Sequence, residues 1–154
     1  MDIKRLNVNF GGRPSVGYGG RESAFKEMEQ LTGGVIPSSY IDFIREADGG
    51  HPEIGSFTPL DGGEDKYFDV DLFYSFESGR GVNIKDALAS WGGVVGKYAL
   101  IIGRDGGGNQ IYINLVGGGE SVWIYLHDEG QARVRVANSF EEFIGMLRAN
   151  PDFI

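Results

Sequence analysis

Four runs of β-branched and aromatic residues fill positions 98–137, each closed by a cluster of glycine or small polar residues. The first, residues 98–102, meets the turn Gly103, Arg104, Asp105, Gly106, Gly107, Gly108. In the second, Gln110, Tyr112 and Asn114 alternate with Ile111, Ile113 and Leu115. A glycine turn at 117–119 leads to the third, where Val122, Ile124 and Leu126 alternate with Trp123, Tyr125 and His127. The turn 127–130 precedes the fourth, residues 132–137. Period-two alternation marks a pleated strand. Connections this short join only antiparallel neighbours, because a parallel crossover needs a dozen residues or more. Glycine supplies the positive φ that a sharp turn needs without a Cβ clash. An antiparallel meander is therefore written into the second half of the chain, and the remainder must fold around it.

Helical spacing appears on both sides of the meander. After Ser23, read as the N-cap, Phe25, Met28 and Leu31 recur on one face, and Gly33 and Gly34 stop the run. Pro37 with Ser38 or Ser39 opens a second helix, whose stripe is Tyr40, Phe43, Ile44 and Ala47, with Gly49 or Gly50 as left-handed cap. A third, short helix follows Asn83 and turns Ile84, Ala87, Leu88 and Trp91 inward. The last starts at Ser139, with Glu142 at capping-box spacing, and buries Phe140, Phe143, Ile144 and Leu147 before Pro151.

Two strands are expected before the meander, at residues 53–60 and 67–76. In the second, Phe68, Val70, Leu72, Tyr74 and Phe76 share a phase expected to face the core, and Tyr67, Asp69, Asp71, Phe73 and Ser75 share the solvent phase. The sum is a single α+β domain: a mostly antiparallel sheet of five to six strands with helices packed on one face. Residues 1–22, with five glycines and Pro14, read as a flexible arm, and residues 23–154 as the domain.

The residues that invite a chemical reading lack the company they need. There is no cysteine and there are two histidines, which excludes thiolate nucleophiles and a three-histidine metal site within one chain. His127 beside Asp128 and Glu129 suggests a dyad, yet neighbours in a turn seldom converge and no nucleophile stands near. The 103–109 turn lacks the lysine and following helix of a phosphate loop and the spaced acids of a calcium loop. Asp69 and Asp71 would need further ligands for metal binding or acid–base work. The expectation is a protein that is not an enzyme, with no catalytic, cofactor-binding or metal-binding residues and no cofactor. No apolar run approaches the roughly 20 residues of a membrane span, and MDIKRLNVNF lacks the apolar core of a signal peptide. A cytoplasmic protein without membrane contact is expected.

Charge narrows the choice of partner. The net charge of −8 argues against nucleic-acid binding, which requires cations to neutralise phosphates. Residues 51–78 hold seven acids against one base, Lys66, and so carry −6 of that total. Aromatics interleaved with acids suit a protein-binding face, since rings supply anchors and charges supply steering. The expected contact residues are Glu64, Asp65, Tyr67, Asp69 and Asp71, with Phe73 as an anchor.

Three stretches in order resemble the SUKH superfamily, the Smi/Knr cell-wall-assembly-regulator-like proteins. In FKEMEQLTGGVIPSSYIDFIREADGG, Ile36-Pro37 stands for the family's Leu-Pro and Asp48-Gly49-Gly50 for its Asn-Gly-Gly. IIGRDGGGNQIYINL is similar to its strand, glycine turn, strand signature, with Arg104 where a smaller or acidic residue is commoner. VWIYLHDEG and RVANSFEEFIGML resemble its His-acid turn and closing capped helix. The resemblance implies a single-domain α+β fold with no shared catalytic residues. For most bacterial members it implies an immunity protein that neutralises a cognate polymorphic toxin, often a nuclease, by protein–protein binding. The alternative it implies is a regulatory scaffold of the Smi/Knr type. A basic toxin domain is the partner that the acidic segment suits.

Overall fold

The alternating runs of the second half form strands in the computed structural model, which describes residues 1–62, 66–77 and 82–153. Strands preceding the meander are β1 (Val8–Phe10), β2 (Arg13–Pro14), β3 (His51–Pro52), β4 (Ser56–Phe57) and β5 (Phe68–Phe73). The meander itself is β6 (Ala99–Asp105), β7 (Gln110–Asn114), β8 (Ser121–Leu126) and β9 (Ala132–Ala137). The helices are α1 (Ser23–Thr32), α2 (Ser38–Glu46), α3 (Ile84–Val95) and α4 (Phe140–Met146). Together they make a single α+β domain.

The main sheet has six strands in the order β4-β5-β6-β7-β8-β9, each antiparallel to its neighbour. Its two edges approach each other. The Leu60 and Asp61 amides donate to the carbonyls of Val136 and Arg135 at 3.0 and 3.1 Å, so the chain after β4 satisfies the free edge of β9 and curls the sheet. A second sheet, β2-β1-β3, is joined to the first through Gly50 and Phe73, which exchange backbone hydrogen bonds of 2.9 and 2.8 Å.

The expected strand at 53–60 shrinks to two residues. Pro52, Gly55 and Pro59 surround it, and proline cannot donate to a ladder. β5 forms where expected, but its pairing with β6 shifts between Val70 and Leu72. An irregularity of this kind breaks the period-two phase. Val70 and Phe73 therefore both point inward at 1% exposure, and Leu72 is left half-buried. The solvent-facing Phe73 of the alternation argument is thus corrected: it is a core residue.

Helices cover the sheet on both sides, more completely than the single layer expected. Phe73 meets Phe43 of α2 at 4.9 Å and Phe143 of α4 at 6.5 Å, centroid to centroid. The next residue, Tyr74, points the other way and donates its hydroxyl to Gln110 Oε1 at 2.6 Å. Gln110 pairs across the ladder with Tyr125, whose ring lies 6.4 Å from Trp91 of α3. This double cover explains why β6 and β7 are buried almost throughout.

The glycine-rich N-terminal segment is seated rather than loose. Ile3, Leu6, Val8 and Tyr18 enter the core, and the Arg5 guanidinium donates to the carbonyls of Ile144 and Leu147 at 2.6 and 2.7 Å. A cation there answers the negative end of α4. Two helix caps stand as read: Asn83 and Ser139 accept from the amides of Asp86 and Glu142 at 2.9 and 3.0 Å. Gly33 closes α1 with φ +89°. Ser23, by contrast, is the first residue of α1, not its cap, and α3 runs on past Trp91 to Val95. α2 also ends differently, at Glu46, with Ala47 extended. Gly49 and Gly50 take positive φ for close approach instead, since a Cβ would stand 2.6 Å from Ser75 Oγ or 2.9 Å from the Asn9 carbonyl.

Candidate partner-binding face

The acidic residues of β5 lie at the short-β4 end of the main sheet, and most of them have acquired partners. Asp69 accepts from the Ser56 hydroxyl of β4 and, through Oδ2, from Asn150 Nδ2 at 2.8 Å. The Tyr67 hydroxyl donates to the Asp152 carboxylate and lies 3.4 Å from Asn150 Oδ1. That hydrogen bond to a carboxylate raises the Tyr67 pKa, because losing the proton would set two anions face to face. Tyr67 and Asp69 are therefore joined through the C-terminal residues 150–152. Asp71 stands apart from them, exposed, with Arg104 Nε 3.3 Å from its carboxylate and His51 Nδ1 2.7 Å from its carbonyl oxygen. Glu64 and Asp65 lie outside the described residues.

Asp69 also helps to line a small cleft of about 220 Å³ with His51, Glu53, Gly55 and Asn150. Its polar wall can accept hydrogen bonds from a partner's cations. The field around it is less negative than the run of acids implies. Arg104 comes from β6 to Asp71, and Arg135 comes from β9 to Asp61 at 3.2 Å. Both arginines lie far along the chain, so a count over residues 51–78 misses them. Asn150 and Asp152 were missed for the same reason, and nothing local in the C-terminal sequence marks them as companions of Tyr67 and Asp69.

His127, which invites a catalytic reading, and Asp105 of the glycine turn both hold turns. Asp105 Oδ1 accepts from the amides of Gly107 and Asn109 at 3.0 and 2.8 Å, and Oδ2 from Asn109 Nδ2 at 2.9 Å. His127 Nε2 lies 2.7 Å from the Gly107 carbonyl, and its Nδ1 3.0 Å from Asp128. The Asn109 side chain accepts from the His127 amide at 3.1 Å and ties the two turns together. Among the described residues no three His, Cys, Asp or Glu side chains are grouped to hold a metal ion. No described helix is long and apolar enough to cross a membrane.

The architecture defines the class: one α+β domain built around a curled antiparallel sheet. The family model for the SMI1 / KNR4 family (SUKH-1) matches residues 19–146, and the chain belongs to that family. The resemblance seen in the three sequence stretches is thereby confirmed at the level of the family, whose members are in general not enzymes. No curated protein matches the chain.

Proposed function

We propose that this protein is an immunity protein: a cytoplasmic, non-enzymatic binding protein that neutralises a cognate toxin domain with a basic surface, of the nuclease kind. The observation that carries this reading is the group of carboxylates presented by β5 and its surroundings. Asp69, Asp71, Glu53 and Asp152 stand there, and Glu64 and Asp65 precede β5 in sequence. A nuclease holds phosphates on a positive surface, so an acidic protein that docks there both finds its target by electrostatic steering and blocks the substrate. Family membership supports a role in binding. The contact set is Glu64, Asp65, Tyr67, Asp69 and Asp71. Phe73 is withdrawn from it because its ring is enclosed, and half-buried Leu72 and the Tyr67 ring supply the apolar part.

Asp71 gives the cleanest test, since Asp69 is braced by two hydrogen bonds. Asp71→Lys, checked for an unchanged melting temperature, is co-expressed with a basic toxin domain sought among the neighbouring genes. The expected outcome is lost protection and at least tenfold weaker binding of the purified pair, greater at low than at high salt. Undiminished protection with an unchanged Kd would remove β5 from the interface. Recovery of a housekeeping protein as the stable partner, with no toxin bound, would favour the regulatory scaffold instead.

A further inference from the structure

A cleft of about 560 Å³ lies away from the acidic face, between the end of α1, one side of α3 and the start of β6. Ala99 at its edge and Arg104 beside Asp71 are five residues apart on β6, a separation of about 17 Å along a strand. The cleft arises from the amphipathicity of α3. Ile84, Ala87 and Val95 of that helix face the core, whereas Lys85, Leu88, Ala89 and Gly92 form a second stripe at i, i+3, i+4 and i+7 that faces the opening. Leu31 of α1, 61% exposed, and the ring of Tyr98 complete an apolar wall.

Two features show that this space is more than imperfect packing. The first is Gly92. Glycine is among the poorest residues for a helix interior, and its φ here is unexceptional. A Cβ added to it would meet nothing nearer than Leu88, at an ordinary 3.8 Å. No crowding by the protein requires a glycine at this point, and its lack of a side chain deepens the floor. The second is charge. Lys85 and Lys97 both line the cleft, both are exposed, and neither makes an ion pair or hydrogen bond among the described residues. The Lys97 ammonium instead stands 5.7 Å from the centroid of the Tyr98 ring. In a chain of net charge −8, two cations with no acidic partner among the described residues, at the mouth of an apolar cleft, would attract an anion.

We propose that this cleft binds a small amphiphilic anion, with the apolar body against Leu31, Leu88 and Tyr98 over Gly92 and the anionic head at Lys85 and Lys97. The volume falls within the range of small-molecule sites and leaves room for a medium-chain aliphatic body carrying a carboxylate, sulfate or phosphate. This inference does not depend on the immunity reading, which concerns another face.

Octanoate, below its micellar concentration, is the probe, titrated into the full chain and followed by amide and side-chain NMR. Saturable one-to-one shifts centred on Leu31, Leu88, Gly92 and Tyr98 are expected. Gly92→Leu places a better helix former on the floor of the cleft, so it should keep or raise the melting temperature while weakening octanoate at least tenfold. Lys85→Glu with Lys97→Glu should weaken octanoate at least tenfold but change the affinity for neutral 1-octanol less than twofold. Absence of saturable shifts, or octanoate binding unchanged in either variant, overturns the proposal. So does equal affinity of the wild type for octanoate and 1-octanol. A wild-type dimer in sedimentation that Gly92→Leu dissociates would assign the cleft to a second copy of the chain and overturn it as well.

Discussion

Phe73 packs against Phe43 and Phe143 in the middle of the aromatic core. Phe73→Ala should therefore cost about 3–5 kcal/mol, the range for a buried ring replaced by a cavity. Urea unfolding should show it as a lower midpoint with an unchanged slope; a loss under 1 kcal/mol would contradict the burial. Asp48 makes a different residue-scale prediction. Its Oδ1 accepts from the Phe76 amide at 2.7 Å, yet burial holds its pKa above the ordinary 3.8, with nearby Glu77 adding to the rise. The folded state thus binds this proton more readily than the unfolded state. The contribution to stability is fully present below pH 3.8 and is lost as pH rises through the raised value. Asp48→Asn keeps an acceptor for Phe76 and removes the titration. Its stability relative to wild type should increase with pH across that interval, measured by urea unfolding at several pH values. A constant difference would mean that Asp48 does not titrate abnormally.

Helix and strand ends show how far local reading reaches. The Asn83 and Ser139 caps were legible because each bond spans three residues and depends on little else. Ser139→Ala should cost about 1 kcal/mol, seen as a lower unfolding midpoint, and Ser139→Asp should restore most of it. No effect from either change would place the start of α4 elsewhere. The end of α2 was misread because Gly49 and Gly50 carry the same residue signal as a cap but answer to Ser75 and Asn9 across the fold. Tertiary crowding, invisible in a short window, decided their use. The same applies to Gly103 inside β6, where a Cβ would stand 2.7 Å from the Leu72 carbonyl. What reads as the first residue of a turn is a strand residue that lets β5 come close.

For the whole molecule, the N-terminal segment is the largest addition to the sequence reading. Its glycines signal a cost of ordering, but Ile3, Leu6, Val8 and Tyr18 repay it by burial, and Arg5 binds the end of α4. Removing residues 1–20 should cost several kcal/mol, since each buried aliphatic side chain contributes about 1.5–3 kcal/mol. Against a typical total of about 5–15 kcal/mol, the truncated chain should melt far below the full one or fail to fold. An equal melting temperature in a thermal scan would show the segment to be dispensable.

By itself the sequence determined the antiparallel meander, the α4 stripe, the Asn83 and Ser139 caps and the family. The first three rest on periodicity or on bonds a few residues long, and the family on the resemblance of three stretches in order. Tertiary structure alone decided the phase of β5 and the burial of Phe73. It also brought Arg104 to Asp71 and Asn150 to Asp69, laid helices on both faces of the sheet and opened the cleft beside α3. Those features depend on which distant segments come together, and a one-residue shift in strand pairing is enough to exchange an exposed ring for a buried one.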